Sequence, residues 1–349
     1  AQGRVIIAGN GAVSGGSIDC GESGLCARMF APIAALSEDE VSLTGRGSLL
    51  SRPMNMIEKP LRDLGAECVT NKGKLPIKVR GRLKGGTIGI DGSAGSQFLS
   101  GLLTALPLCG NDSEIVVSNL KSKPYVRMTI ETLKRCGIEI ICDDAMTRFG
   151  IPGGHRYKPV EHAIRGDWSS ASFFLVAAAI AGSVRIAGLD PDSLQADRAI
   201  LQALERAGAR ISLNGGYITV EKNSLKGFEF DATDCPDLFP PLTALACNCE
   251  GISVIRGAER LRDKESDRAS ALKGELGRIG ADVRISGGFL EISGRKLQGG
   301  TADSRGDHRI AMACALAALN SEKGIRIMNE TCVSKSYPEF FEHLSILSR

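Results

Sequence analysis

Residues 260–283 read RLRDKESDRASALKGELGRIGADV. Apolar side chains at Ala271, Leu272, Leu276 and Ile279 recur at helical spacing, so the stretch reads as a helix that stops at Gly280. Arg260, Arg262, Lys264 and Arg268 crowd its N-terminal end. The helix dipole favours negative charge there, and each cation forgoes about 0.3–1 kcal/mol. Asp263, Glu265 and Asp267 offset part of that cost. Taken alone, such an entrance is an ordinary solvated cluster of ion pairs.

The second half of the stretch recurs along the chain. MIEKPLRDLGAECV, MTIETLKRCGIEII, AILQALERAGARIS and SALKGELGRIGADVRI are each an amphipathic segment, a glycine and the start of an apolar strand. Their glycines, Gly65, Gly137, Gly208 and Gly280, are spaced by 72, 71 and 72 residues. A fifth copy, YPEFFEHLSIL, closes the chain without its glycine. The glycine suits a left-handed helix C-cap that releases the chain into an extended run. A second kind of helix precedes each of these. It follows a polar Gly/Ser/Asp turn and is apolar nearly all round, as in DCGESGLCARMFAPIAAL, DGSAGSQFLSGLLTALPL, GDWSSASFFLVAAAIAG, DCPDLFPPLTALACN and DSRGDHRIAMACALAAL. Such helices are buried inside a domain. EVSLTG, IKVRG, EIVVSNL, SVRIAGL, GYITVE, SVIRGA, FLEISG and GIRIMN read as strands. The repeating unit is therefore strand, buried helix, strand, amphipathic helix, strand, strand: a βαβαββ unit in which sheets wrap buried helices.

Two expectations about organisation follow. The polar, Pro-bearing linker GHRYKPVEHAIR at 154–165 divides an N-terminal lobe, 1–158, with two repeats from a C-terminal lobe, 159–349, with three. Three units per lobe would make the pair symmetric, and the chain opens on Ala1, so one repeat is expected to be missing at the N-terminus.

The chain's 349 residues are 43% hydrophobic and 24% charged, which supports well-buried cores and excludes disorder. A net charge of +3 is too small to argue for nucleic acid or a membrane, and 5% aromatics give bases no stacking platform. No apolar run reaches the roughly 18 residues of a bilayer span, and no signal peptide is visible. The eleven cysteines show no CxxC pairs and no His partners at metal spacing, so they read as reduced cytoplasmic thiols, with no metal site.

Cations recur at the helix mouths: Arg52, Lys123, Arg198, Lys264 with Arg268, and Lys335 ahead of the amphipathic helices, Arg28 and Arg309 in the buried ones. One such placement is noise; seven argue that helix amides and basic side chains face a shared anion, a phosphate or a carboxylate. Among them stand groups able to move a proton: Asp237 in CPDLF, Glu265 beside Lys264, and His308 beside Arg309. The competing reading of Asp237 is a helix N-cap. His155, His162 and His343 read as surface residues, and Trp168 as a packed one.

DGSAGSQF (91–98), SKPY (122–125), KESDR (264–268), GDHR (306–309) and SKSYP (334–338) occur in the order and spacing of the enolpyruvyl transferases. The chain resembles that family along its whole length, and within it the branch acting on shikimate 3-phosphate. The resemblance implies an α/β, two-domain fold of repeated βαβαββ units closing over the substrates. It also implies transfer of the enolpyruvyl group of phosphoenolpyruvate to the 5-hydroxyl of shikimate 3-phosphate, with release of phosphate, on the route to chorismate and the aromatic amino acids. Gly24, Arg52, Gln97, Arg268, Arg309 and Lys335 match positions that hold phosphoenolpyruvate; Ser96, Gln97, Ser122, Tyr125, Asp237 and Lys264 match positions contacting shikimate 3-phosphate. Asp237 and Glu265 are the implied proton-transfer groups, assisted by Lys264 and His308. No cofactor is implied, and the partners are small molecules acting on a cytoplasmic monomer. The sequence departs from the family where Glu22 and Leu25 replace an Asn and a Thr, and at Gly95. The family's N-terminal PGSKSxSxR segment lies outside the sequence, so the chain beginning at Ala1 is expected to be weak or inactive by itself. The rival readings are a UDP-N-acetylglucosamine enolpyruvyl transferase and a non-catalytic remnant; a fold-related RNA 3'-phosphate cyclase is disfavoured by the few aromatics.

Overall fold

A computed structural model describes residues 3–9, 11–262 and 264–347. The first repeat comprises β1 (Gly16–Asp19), α1 (Gly24–Ala34), β2 (Val41–Thr44), α2 (Glu58–Asp63), β3 (Glu67–Asn71) and β4 (Lys74–Arg80). The second comprises β5 (Gly86–Asp91), α3 (Gln97–Ala105), β6 (Ser113–Ser118), α4 (Lys123–Arg135), β7 (Ile141–Cys142) and β8 (Arg148–Ile151). The third starts directly on α5 (Trp168–Ala181), followed by β9 (Ser183–Ala187), α6 (Ile200–Ala207), β10 (Arg210–Asn214) and β11 (Tyr217–Glu221). The fourth is complete: β12 (Glu229–Asp231), α7 (Phe239–Cys247), β13 (Ile252–Arg256), α8 (Arg268–Arg278), β14 (Asp282–Ser286) and β15 (Phe289–Ser293). The fifth holds β16 (Gly300–Asp303), α9 (His308–Ala318), β17 (Ile325–Met328) and α10 (Phe340–Leu347).

Complete repeats share one sheet order, β1-β2-β4-β3, β5-β6-β8-β7 and β12-β13-β15-β14. The first two strands pair in parallel through the crossover that the buried helix provides. The closing hairpin adds antiparallel. Among the described residues, the third repeat has only β10-β11-β9, and the fifth only the parallel pair β16-β17.

Composition decides which helix goes inside. All nine residues of α7 and twelve of the fourteen in α5 are buried, so neither presents a polar face to water. In α6, by contrast, only the stripe Ile200, Ala203, Leu204 and Ala207 is buried. The repeat glycines all take the left-handed backbone a C-cap demands, with φ of 97° at Gly65, 83° at Gly137, 90° at Gly208 and 101° at Gly280. In β4 exposure alternates residue by residue, the signature of a sheet covering a core with one face.

The helix mouths differ from expectation in an instructive way. The segment from Arg260 is not one helix: residues 258–261 form a single 3-10 turn, and α8 starts at Arg268. Asp267 caps it, accepting from the Ser270 amide at 3.2 Å. Asp263 lies outside the described residues. Arg198 sits in the 3-10 turn before α6, is exposed, and donates to the Pro191 carbonyl. Arg52 and Lys335 lie several residues ahead of α2 and α10. Most amphipathic helices are entered through a short turn that takes the cation away from the helix amides. Of the eight cations, only Lys123, Arg268 and Arg309 stand within the first turn of an α-helix.

Contacts between Cα positions separate two compact units, Ala1–Lys121 with Thr129–Val160, and Ser122–Met128 with Glu161–Arg349. Residues 155–167 between them have no regular structure. In the second unit α5, α7 and α9 build the core, and Trp168 is fully buried with its indole N–H on the Asp190 carbonyl at 3.0 Å. His155, His162 and His343 are exposed. Every cysteine is a free thiol, and seven of them are buried. Among the described residues, no helix is long and apolar enough to cross a membrane.

Candidate active site

In the second unit, three elements converge on Asp237. The residue lies in the 3-10 turn Pro236–Leu238 and caps no helix there, which removes the N-cap reading. Its Oδ1 accepts from Arg268 Nη1 at 2.7 Å and lies 3.5 Å from Lys264 Nζ, while Oδ2 is 3.3 Å from Arg309 Nη2. Burial alone would raise the pKa of this carboxyl; Arg309, Lys264 and Arg268 outweigh it and hold it well below the ordinary carboxylate range.

Arg268 is the hub. Its side chain is 1% exposed, and besides Asp237 it binds Asp307 through Nε at 2.7 Å and Glu265 through Nη2. Burial opposes the charge, but Asp307, Glu265 and Asp237 reverse that and push the pKa up. Asp307 caps α9, accepting from the Arg309 amide at 3.0 Å, so the same carboxylate orients Arg268 and starts the helix that delivers His308 and Arg309. Lys264 is held by Asp237's charge while burial lowers its pKa. Three cations thus face three carboxylates, and because Arg268 and Asp307 are both fully buried, breaking their pair strands a buried charge.

His308 is buried at the first position of α9. Burial, then Arg309 and Arg268, push its pKa down to about 4, so the imidazole is neutral at pH 7. Asp197, in the turn before α6, is 1% exposed. Burial and the charge of Asp237 push it up to about 6. Burial, Asp197 and Asp237 together raise the Tyr125 phenol well above its usual value. Lys335 reaches the loop before α9, with Nζ 3.2 Å from the Gly306 carbonyl. Ser122 is buried ahead of α4, in contact with the loop that carries Asp237.

The first unit assembles its own polar cluster. Ser23 caps α1, accepting from the Cys26 amide, so Gly24 opens the helix. A Cβ at Gly24 would lie 2.4 Å from Arg52 Nη1: the missing side chain is what lets the buried guanidinium rest against the loop. Glu22, one of the departures from the family pattern, accepts from the Ser48 amide and hydroxyl at 3.3 Å and so pins the 3-10 turn leading to Arg52. Gln97 is the first residue of α3, with Ser96 buried before it. The side-chain Oε1 of Gln97 accepts from Arg28 Nη1 at 3.1 Å, and Arg28 Nη2 donates to the Pro53 backbone carbonyl at 3.1 Å. Arg28 is therefore a support for Gln97 rather than a separate cation at a helix mouth.

Asp237, Lys264, Glu265, Arg268, His308 and Arg309 thus come together in the second unit, and Gly24 with Arg52 and Gln97 with Arg28 in the first. Sequence reasoning missed Asp307 and Asp197. Asp307 was visible as the acidic member of GDHR; Asp197, between Ala196 and Arg198, carries no local signal.

The repeat with its crossover and closing hairpin is the two-domain enolpyruvyl transferase fold. The chain superposes with a TM-score of 0.77 and 28% identity on an EPSP synthase of Acinetobacter baumannii, covering 95% of this chain and 78% of that one. Residues 2–344 match the EPSP synthase (3-phosphoshikimate 1-carboxyvinyltransferase) family. Proteins named 3-phosphoshikimate 1-carboxyvinyltransferase from Methanothrix thermoacetophila and Clostridium novyi are 42% and 40% identical, over 94% and 93% of this chain and 78% and 75% of theirs. One from Aeropyrum pernix is 39% identical over 97% of this chain and 78% of its own. The chain belongs to the EPSP synthase family.

Proposed function

We propose that the chain transfers the enolpyruvyl group of phosphoenolpyruvate to the 5-hydroxyl of shikimate 3-phosphate and releases phosphate, as the names of its relatives suggest. Those names favour this reading over a UDP-sugar acceptor. The observation that carries it is the carboxylate of Asp237 ringed by Lys264, Arg268 and Arg309. An anionic substrate that draws Arg309 and Lys264 towards itself relieves Asp237 of two of the charges that depress its pKa, so binding turns a weak base into a competent one. Asp237 then removes the proton of the attacking hydroxyl. Glu265, Lys264 and the neutral His308 are the groups for protonating and later deprotonating the methylene carbon.

In the second unit, Arg268, Arg309 and Lys335 are assigned to phosphoenolpyruvate, and Ser122, Tyr125, Asp237 and Lys264 to shikimate 3-phosphate. In the first, Gly24, Arg52 and Gln97 are assigned to phosphoenolpyruvate, and Ser96 with Gln97 to shikimate 3-phosphate. The lobes are taken as 1–158 and 159–349, and the protein as a cytoplasmic monomer. Release of phosphate from the two substrates tests the reading. Asp237→Ala is expected to cut kcat by about 10²-fold or more with a modest change in binding of shikimate 3-phosphate. Turnover that survives in Asp237→Ala removes Asp237 from the chemistry.

A further inference from the structure

Ser122 is a buried non-glycine residue held at φ +57°, in the left-handed region. For an L-residue that backbone costs of the order of 1 kcal/mol, and it persists only where neighbours enforce it. Two neighbours do so. The Ser122 amide donates to Asp234 Oδ1 at 2.7 Å, and Arg260 Nη2 donates to Ser122 Oγ at 3.2 Å. Arg260 is itself fixed by Nη1 on the Thr233 carbonyl at 3.4 Å. All these groups belong to the second unit.

Asp234 and Thr233 lie in the same short loop as Asp237, between β12 and α7. Arg260 lies in the 3-10 turn that leads towards Lys264. One loop therefore carries the candidate base and the carboxylate that sets Ser122. A second, adjoining stretch carries Lys264 and the guanidinium that binds the serine's hydroxyl.

We propose that Asp234 and Arg260 are positioning residues that clamp Ser122 as a hydrogen-bond donor to the phosphate of the acceptor substrate. The chemistry is directional. A guanidinium only donates, so Ser122 Oγ is the acceptor in that bond, and its own proton is left to point at another acceptor. The Ser122 amide is spent on Asp234, which leaves the hydroxyl as the donating group of this residue. A phosphate oxygen is the acceptor such a polarised hydroxyl suits, because a charged partner roughly doubles the bond's strength. The clamp also places a half-buried positive charge next to that oxygen. The inference rests on the assignment of Ser122 to shikimate 3-phosphate.

The test is calorimetric binding of shikimate 3-phosphate to the whole chain, with kcat and the two KM values alongside. Arg260→Ala and Asp234→Ala are expected to weaken shikimate 3-phosphate roughly tenfold and leave the KM for phosphoenolpyruvate within about twofold. Asp234→Asn keeps an acceptor oxygen and is expected to restore most of the affinity. Arg260→Ala made in a Ser122→Ala background should add less than about twofold, because its target is gone. Full additivity of the two substitutions overturns the clamp while leaving Ser122 in the site. An unchanged affinity in Ser122→Ala alone, or no binding by the wild type, overturns both the clamp and the assignment it rests on.

Discussion

Two buried side chains of opposite character sit beside the ionic cluster, and they pull the acid stability of the protein in opposite directions. His308 is neutral when folded, its pKa pushed down to about 4 by burial and neighbouring arginines. Between that value and the ordinary 6.5, the unfolded chain binds a proton that the folded chain refuses, so stability falls as pH falls through this window. Asp197 behaves in reverse. Raised to about 6 from 3.8, it holds a proton when folded that the unfolded chain has released, so stability falls as pH rises through that window. Above pH 6 the folded protein carries a carboxylate that is almost wholly buried beside the charge of Asp237. Asp197→Asn is therefore expected to stabilise the protein by about 1–3 kcal/mol at pH 7.5 and to steepen the loss of stability between pH 6 and 4, where His308 then acts unopposed. Urea unfolding across pH 4–8 measures both. A less stable Asp197→Asn at pH 7.5 contradicts the account. None of this was legible in the sequence, because a carboxylate's burial is set by what packs on it, and Asp197 looks like any acidic residue beside an arginine.

At the scale of elements, the repeat was legible and its helix entrances were not. The spaced glycines and the all-apolar helices are signals in composition, and each lands where its physics requires: left-handed at the cap, or buried on every side. The strands ahead of the buried helices were harder to name. Gly16–Asp19 and Gly300–Asp303 read GSID and GTAD, too short and polar to alternate, and they are strands because a parallel neighbour recruits them. Placement of a cation near a helix start was overread, since a local dipole argument cannot see the turn that intervenes or the carboxylates opposite. Where a loop and a turn meet face to face, the consequence is testable. Gly24→Ala puts a methyl carbon into the Arg52 guanidinium, and because the helix start is fixed by Ser23, Arg52 has to move. The expected result is a KM for phosphoenolpyruvate raised about tenfold or more, with the KM for shikimate 3-phosphate nearly unchanged. Equal effects on both substrates would mean that the loop as a whole has shifted.

At the scale of the molecule, the chain's path makes a prediction that neither unit makes alone. Residues 122–128 precede the linker in sequence but pack within the second unit. Tyr125 lies against its core, and Ser122 is bonded to Asp234 and Arg260. The linker at 155–167 is exposed along most of its length and has no hydrogen-bonded secondary structure to protect it, so trypsin has access to Arg156 and Arg165. Cutting there severs the covalent connection but leaves the 122–128 segment seated among residues of the other fragment. The two fragments are therefore expected to elute together under native conditions and to separate only in denaturant. Tyr125→Ala removes the half-buried ring that packs the segment against the core and is expected to let the nicked fragments come apart at dilutions where the nicked wild type holds together. Fragments of the nicked wild type that separate without denaturant would show that residues 122–128 contribute little to the second unit, and the seating of Ser122 and Tyr125 on which the acceptor site depends would fall with them.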